Sequence, residues 1–501
     1  MGIVRKQSIY STIFIYIGFA IGAVNTLVLF PKFLGQDYLG LSRSMLDFAV
    51  LFSTIATMGA LPAMYKFFPF YRSYLPENKN DLPFLSLVCT CIGSLLFVVC
   101  MFLFKSFFIR KFSKNSSLFV EYYYWLIPLT VSYTFFILFE AYAWLIQKTV
   151  MSNLVKELVS RISVTVIFVF YFFHLCSKDA FIKAYALIYV PSALLLLWIT
   201  TRNGAIRFVP RISQVSRRLY KKIISFSAFH FSGSVVRILP LALGGLMIAS
   251  ISSNGLSDTA IYTIAIYLIS IMEVPQRSML GITTSIIAEA WKNKDLGKIE
   301  EIYHKTSLNL LIAGLGIFGI LFLNIENLVR FEGAGYAPIV VIFTIMGISK
   351  LIDLGMGMND QIMALSKYWK MDFFISISFI LVNIPLTYFF IKHFELKGSA
   401  YGQFVSLVFF NMMRFIAIWK LFKMQPFTVK SLYAMLLAAA VILPIRYFIP
   451  YMGNLYLDTV IRSVVYMGLF GTMVIGFRLS PDIHAVYHTV LKRFGIKKQG
   501  Q

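Results

Sequence analysis

The chain has 501 residues, of which 58% are hydrophobic and only 14% are charged. A soluble protein normally has about a quarter of its residues charged, so this composition excludes a soluble globular fold and indicates a protein that sits in a lipid bilayer. The net charge of +24, from 46 Lys and Arg against 22 Asp and Glu, would point to nucleic acid in a soluble protein. Here the basic residues lie in short loops between apolar segments, so they indicate membrane topology and no nucleic-acid partner.

About fourteen apolar segments are long enough to cross a bilayer, which takes roughly 20 residues of α-helix. They predict an all-α polytopic membrane protein. In chain order the segments cover residues 8–34, 41–71, 82–108, 118–147, 149–175, 180–201, 223–252, 257–290, 302–325, 336–364, 370–394, 397–421, 429–449 and 455–478. Several are longer than a bilayer is thick, so we expect them to tilt or kink.

The segments divide into two groups of six and a final pair. We predict an N-terminal six-helix bundle over residues 1–205 and a C-terminal six-helix bundle over 223–421. Two additional transmembrane helices follow in 422–478, and a basic cytoplasmic tail covers 479–501. The linker 206–222 is basic on one side and apolar on the other, so we expect it to lie on the cytoplasmic face of the membrane.

The basic residues also predict the orientation of the chain. With the N-terminus inside, about 29 Lys and Arg fall in cytoplasmic segments and about 13 outside, in line with the positive-inside rule. The outer loop 250–256 carries no basic residue. We therefore expect both termini in the cytoplasm. No loop exceeds roughly 25 residues between segments of bilayer length, which leaves no room for a catalytic domain and favours a transporter or flippase over an enzyme.

No cofactor or metal site is expected. The six histidines are scattered and show no metal-ligand spacing. The cysteines lie in or beside apolar segments and are interpreted as small hydrophobic residues. They are Cys89, Cys91, Cys100 and Cys176.

Charged residues inside transmembrane segments are costly and usually functional. Arg237 lies about 18 Å along segment seven, near the bilayer midplane, and Pro240 follows three residues later. Proline removes a backbone hydrogen bond, so we expect the helix to kink or break beside this cation, as at the binding sites of transporters. The alternative is a structural arginine that pairs with an acid on a neighbouring helix, such as Glu273.

Segments eight and ten contain further charged residues. Glu273 and Arg277 are four residues apart on one helical face, so they either pair with each other or face a cavity. Lys350 and Asp353 are three apart, which favours self-pairing, and Asp360 lies two turns further on. Because carboxylates carry protons and bind cations, Asp353 and Asp360 are candidates for ion coupling.

A last pair opens segment two near the outer interface. Arg43 and Asp47 are again four residues apart. Arg43 either guides an anionic substrate outward or snorkels to the interface, and the spacing leaves both interpretations open.

Several short stretches, in their order and spacing over the whole chain, resemble the bacterial polysaccharide (O-antigen type) flippase family. That family is part of the multidrug/oligosaccharidyl-lipid/polysaccharide exporter (MOP) superfamily, which also includes MATE-type multidrug antiporters and lipid II flippases. The stretches are Gly35–Leu41, Ile261–Tyr267, Glu273–Arg277, Ala288–Asp295, Met358–Met363 and Ser366–Lys370.

The resemblance implies a V-shaped pair of six-helix bundles around a central cavity, and transport by alternating access. It implies a substrate as well: an oligosaccharide repeat unit linked through pyrophosphate to a polyprenol. This substrate would cross the bacterial inner membrane for the biosynthesis of lipopolysaccharide O-antigen. The implied partners are the substrate, the membrane lipids and the polysaccharide polymerase machinery.

An anionic pyrophosphate requires cations in the cavity, and arginine binds phosphate oxygens bidentately. The predicted substrate-binding residues are Arg237, Arg277, Glu273, Lys350 and Arg43. A MATE-like cation-coupled exporter of drugs or metabolites would instead need acids near the midplane, and segment one has none. Glu273 and Asp353 keep this alternative open, and a lipid II type flippase fits the same features.

Overall fold

The structure is a computed structural model that describes residues 14–202 and 206–484, apart from the side chains at positions 77, 237, 241, 281 and 282. Within these residues the chain is helical and contains no strand. The helices are α1 (Phe14–Leu34), α2 (Gln36–Ala56), α3 (Ala60–Tyr74), α4 (Leu82–Leu103), α5 (Lys105–Phe112), α6 (Ser117–Glu121), α7 (Leu126–Leu145), α8 (Thr149–Leu154), α9 (Ser160–Phe172), α10 (Lys178–Tyr185), α11 (Tyr189–Thr201), α12 (Gln214–Ile251), α13 (Gly255–Met272), α14 (Val274–Lys292), α15 (Leu296–Glu332), α16 (Ile339–Gly355), α17 (Asn359–Leu365), α18 (Trp369–Phe422), α19 (Val429–Phe448) and α20 (Leu455–Gly476).

Twelve helices in the described part of the chain are long and apolar enough to cross a membrane. One of them, α18, is 54 residues long but bent at Glu395, whose φ of 51° and ψ of −136° are not helical. It therefore comprises two segments, 369–394 and 396–422. A further helical stretch covers 149–172, where a π-helical turn at Val155–Val159 joins α8 to α9. Taken together, the described residues contain about the fourteen segments predicted, and the all-α polytopic fold class is confirmed.

The chain forms two compact units, and the first covers Met1–Thr263. In it α7 packs against α2, α4 and α11, while α12 packs against α2 and α3. Its apolar core includes Tyr71, Phe136 and Tyr142, which are almost fully buried. The Tyr142 hydroxyl donates a hydrogen bond of 2.7 Å to the carbonyl oxygen of Pro83, so this ring fills the core without leaving its polar atom unsatisfied.

The second unit covers Ile264–Gln501. Here α15 packs against α14, α16, α19 and α20, and α18 packs against α16 and α17. Gly319 on α15 permits a close approach of α20, because a Cβ at this position would lie 2.1 Å from the Tyr466 ring. The Tyr466 hydroxyl in turn donates to the Leu315 carbonyl oxygen at 2.8 Å. Along the chain the boundary between the two units falls within α13, and the predicted division into two six-helix bundles stays a prediction.

The predicted linker 206–222 consists of two parts with different secondary structure. Residues 206–213 are irregular, and 214–222 form the first turns of α12. That helix continues past Pro240 to Ile251. Pro240 therefore does not break the helix, and the alternative expectation of a kink there stays a prediction. Transmembrane helices tolerate an internal proline better than soluble ones.

Candidate functional site

The second unit contains a network of charged side chains centred on Lys350 of α16, running from the largely buried Lys350 to Arg277, whose side chain is 61% exposed. The Lys350 ammonium nitrogen lies 2.8 Å from an Asp353 carboxylate oxygen, 3.2 Å from a Glu273 carboxylate oxygen and 3.2 Å from the amide oxygen of Gln276. Only 11% of the Lys350 side chain is exposed. The self-pairing of Lys350 with Asp353 that the spacing predicts is present, and Glu273 joins it from a different helix.

Local sequence explains why Glu273 can reach this position. Pro275 cannot donate a backbone hydrogen bond, so it suits the first turn of a helix and not the middle of one. Accordingly α13 ends at Met272, and α14 begins at Val274 with the proline in its first turn. Glu273 therefore lies at the junction of two helices, where an acidic side chain is favoured by the dipole of the helix that follows.

The network extends beyond Lys350 on both sides. Arg277 lies 2.6 Å from a Glu273 carboxylate oxygen. On the other side, the Asn411 amide donates to Asp353 at 3.2 Å, and the Asn359 amide donates to Asn411 at 3.2 Å. Side chains from α14, α16, α17 and α18 thus form one connected polar path inside the second unit.

The charges of this network balance. Lys350 and Arg277 are the cations, while Glu273 and Asp353 are the anions, and Glu273 is shared by both cations. Buried ions are tolerated when they are paired and hydrogen-bonded, and removing one partner leaves a costly uncompensated charge. An anionic ligand can bind such a site by replacing a carboxylate as the partner of the cations. A proton or metal cation can bind by replacing an ammonium or guanidinium group as the partner of a carboxylate.

Asp360 is separate from these contacts. It lies in the first turn of α17, is partly buried, and accepts a hydrogen bond of 2.9 Å from the backbone N–H of Gln361. A different acid, Asp372, pairs with Arg414 at 2.9 Å in the same unit. Within the part of the chain that the structure describes, no hydrogen bond or ion pair connects Asp360 to Lys350, so its coupling role stays a prediction.

In the first unit, Arg43 and Asp47 form a bidentate ion pair on α2. The two guanidinium–carboxylate contacts are both 3.0 Å, and the Asp47 side chain is only 7% exposed against 24% for Arg43. The paired fork is the strong form of this interaction. Arg43 is thus held in a partly buried pair, and both interpretations of its role stay predictions.

Two adjacent glycines of α12 allow close approach here, Gly245 to Asp47 of this pair and Gly244 to Tyr262 of α13. A Cβ on Gly245 would lie 2.4 Å from an Asp47 carboxylate oxygen, and a Cβ on Gly244 would lie 2.5 Å from the Tyr262 hydroxyl. In a sequence, adjacent glycines after a proline indicate a weak point in a helix. In the structure they are instead the surface on which α12 approaches α2 and α13, and only knowledge of the partner helices distinguishes the two roles.

Arg237 lies on α12, but its side chain is outside the described residues. Its predicted role in substrate binding, and its alternative pairing with Glu273, both stay predictions. Of the other predicted site residues, the structure brings together Arg277, Glu273, Lys350 and Asp353, and it pairs Arg43 with Asp47. Gln276, Asn359 and Asn411 were not predicted, because uncharged amides carry no signal in a hydrophobic sequence.

Comparison with known proteins gives a clear result for the fold. No protein-family model matches the chain, and no curated protein sequence matches it. Among solved structures, the lipid II flippase MurJ in an inward-closed conformation is similar with a TM-score of 0.74 and 13% identity, over 94% of this chain and 100% of that one. An inward-facing MATE family multidrug resistance transporter of the MOP superfamily has a TM-score of 0.63 and 15% identity, over 87% of this chain and 95% of the other.

A third similar structure is a MOP superfamily transporter from Pyrococcus furiosus, described as having a binding pocket of reversed polarity. Its TM-score is 0.55 at 14% identity, over 88% of this chain and 96% of that one. At such identities the likeness concerns the fold. The chain has the fold of MOP superfamily transporters, and together with twelve apolar helices in its described part this supports a multi-pass membrane protein.

Proposed function

We propose that this chain is a flippase that moves polyprenyl-pyrophosphate-linked oligosaccharide repeat units across the bacterial inner membrane by alternating access. Its N- and C-termini face the cytoplasm in this proposal, and the repeat units supply the biosynthesis of a surface polysaccharide such as O-antigen. The observation that carries the proposal is the likeness in fold to a lipid II flippase over the full length of that protein. The resemblance of the short sequence stretches to the O-antigen type flippases supports the substrate class.

The charge network of the second unit provides a mechanism for recognising the anion. Glu273 contacts both Arg277 and Lys350, so its carboxylate occupies the position in which a pyrophosphate would be bound by the same two cations. Substrate loading would replace this carboxylate, and release would restore the pairs. Such an exchange keeps both cations paired at each stage. The displaced Glu273 carboxylate, whose side chain is 31% exposed, would then be solvated by water. Arg237 and Arg43 are proposed as additional contacts for the anion.

A cation-coupled exporter of drugs or metabolites is the second candidate. Two observations favour it: similarity to MATE family transporters, and the acids Glu273 and Asp353 within one polar network. In that case the carboxylates would bind the coupling ion or proton, and Lys350 would be displaced when they do so. A flippase for lipid II itself would use the anionic chemistry of the first proposal.

The proposal is tested by reconstituting the purified chain in liposomes with a fluorescent polyprenyl-pyrophosphate oligosaccharide and measuring its transfer between leaflets. Lys350→Met should abolish transfer, because it removes a cation shared by two acids. Lys397→Met is the matched control, since Lys397 is an exposed lysine of the same unit and its loss should leave transfer unchanged. Arg237→Ala should also abolish transfer, and Arg237→Lys should restore part of it, because lysine keeps the charge and loses the fork.

The same preparation separates the two candidates. A flippase should transfer the lipid-linked sugar without moving cationic dyes, and Glu273→Gln should reduce the selectivity for anions. An exporter should instead move a cationic dye in response to a sodium or proton gradient, and Asp353→Asn should abolish that response. Absence of sugar transfer by the wild-type chain, together with gradient-driven dye export, would refute the flippase.

A further inference from the structure

A polar cavity lies at one end of the first unit, away from the charge network described above. Three connections converge there: the turn between α3 and α4, the turn between α7 and α8, and the irregular segment 206–213. The cavity has a volume of about 250 Å³ and is lined by residues that include Arg72, Arg207, Asn80, Gln147, Phe68 and Ile206. This is slightly below the roughly 300–1,000 Å³ of pockets for drug-sized ligands, so its size suits a small ion or a headgroup.

The lining of this cavity is cationic. The Arg72 and Arg207 side chains are exposed, and neither guanidinium group forms an ion pair or hydrogen bond with a described side chain. None of the described lining residues is acidic; Glu77, in the same turn as Asn80, has a side chain outside the described part of the chain. Arginine presents a planar fork that matches the oxygens of phosphate. Two unpaired forks on one concave surface therefore favour a ligand with at least one phosphate group.

Two amides add uncharged donors. Asn80 is buried and uses its side-chain oxygen to accept from the Leu82 N–H at 3.2 Å, which leaves its NH2 group as a donor. Gln147 has a left-handed backbone with φ of 60°, a conformation that is unfavourable for a residue other than glycine. It is the usual conformation just after the end of a helix, here α7, and the cavity is lined by Gln147 at this point.

The surrounding contacts fix the backbone of the segment that contains Arg207. Its neighbour Ile206 is almost fully buried and donates its N–H to the Thr200 carbonyl oxygen at 3.0 Å. At the far end of the segment, the buried carboxylate of Asp81 accepts from the Ser213 N–H and from the Ser216 hydroxyl, both at 2.7 Å. The segment is thus fixed at both ends, which lowers the entropy lost on binding.

We propose that this cavity is a binding site for a phosphate or pyrophosphate group, carried either by a free anion or by the headgroup of a membrane lipid. The positive-inside rule explains why arginines are present at a membrane face. It does not explain why two of them share a cavity with two amide donors. The proposal is independent of which substrate the chain transports.

The test uses the purified full chain in two kinds of nanodisc. In the first arm, inorganic pyrophosphate is titrated calorimetrically into neutral phosphatidylcholine discs at low ionic strength. In the second arm, native mass spectrometry measures how much phosphatidylglycerol the chain retains from mixed discs. The cavity variant is Arg72→Gln with Arg207→Gln. The matched control is Arg211→Gln with Arg218→Gln, which removes the same charge from two exposed arginines outside the cavity.

A free anion is supported when pyrophosphate binds the wild type and the control but binds the cavity variant about tenfold or more weakly, as expected for lost hydrogen bonds to a charged group. A lipid headgroup is supported when only phosphatidylglycerol retention differs in this way. Equal behaviour of cavity variant and control in both arms would overturn the proposal. Should the glutamine variant not fold, Arg72→Lys with Arg207→Lys replaces it and is expected to bind several-fold more weakly than the wild type.

Discussion

Gly245 has no side chain beyond a hydrogen atom, and this leaves the space that the Arg43–Asp47 ion pair occupies. A Cβ at this position would lie 2.4 Å from the Asp47 carboxylate that Arg43 holds, and a methyl group cannot occupy that space unless the acid or the helix moves. We expect Gly245→Ala to reduce stability by about 1–3 kcal/mol, the usual cost of overpacking. The measurement is the thermal unfolding midpoint of the purified protein in detergent.

Gly233 on the same helix provides the control. No atom lies within 4 Å of a Cβ built there, so Gly233→Ala should leave the midpoint unchanged or raise it through the better helix propensity of alanine, by up to about 1 kcal/mol. Identical midpoints for the two alanine variants would show that Gly245 is not a contact point between α12 and α2.

Pairs within one helix were predictable from sequence, and pairs between helices were not. The spacing favoured pairing of Lys350 with Asp353 and allowed it for Glu273 with Arg277. Both pairs are present, as is the pair of Arg43 with Asp47 four residues apart. The contact of Lys350 with Glu273 joins two different helices. The spacing of residues along the chain does not indicate which helices pack together. The contact of Lys350 with Glu273 could therefore be identified only from the structure.

At the scale of the helix, Lys423 ends α18 in a left-handed conformation. Its φ is 61° and ψ is 20°, and its N–H donates to the Trp419 carbonyl oxygen at 2.9 Å. Glycine is the preferred residue for this position, because a side chain disfavours the left-handed region. We expect Lys423→Gly to raise stability by about 1 kcal/mol, measured as the same unfolding midpoint.

Lys420 lies one turn earlier in the same helix and is likewise exposed. Since glycine inside a helix costs about 1 kcal/mol, Lys420→Gly should lower the midpoint although it removes the same charge. The two variants are therefore expected to shift the midpoint in opposite directions. Shifts of the same sign would mean that charge, and not backbone conformation, dominates at this helix end.

Helix boundaries were predicted well where polar residues mark them. The predicted gap between 370–394 and 397–421 coincides with the bend at Glu395, which lies in the polar stretch from Lys392 to Lys397. The break between α2 and α3 was missed, although Gly59 there has a φ of 75°. Apolar residues surround it on both sides, so a hydrophobicity window averages over the turn and yields one long segment, 41–71.

At the scale of the whole chain, the length of a helix indicates whether its two ends lie on opposite sides of the membrane. Helix α12 has 38 residues and is about 57 Å long at 1.5 Å per residue. The hydrocarbon core of a bilayer is only about 30 Å thick. The two ends of α12 should therefore face opposite compartments, but helix geometry is symmetric with respect to the membrane and does not determine which end is inside.

The distribution of basic residues predicts which end of α12 is cytoplasmic. Cysteine labelling tests this predicted orientation. In a background without Cys89, Cys91, Cys100 and Cys176, Ser253→Cys should react with an impermeant maleimide added to intact cells, because Ser253 is exposed in a loop without basic residues. Arg218→Cys, exposed in the first turns of α12, should react only after the membrane is permeabilised. Arg218 is chosen for the cytoplasmic side and not the nearby Ser216, because Ser216 is buried and its hydroxyl donates a hydrogen bond to Asp81. The reverse labelling pattern would refute the cytoplasmic location of both termini that we propose.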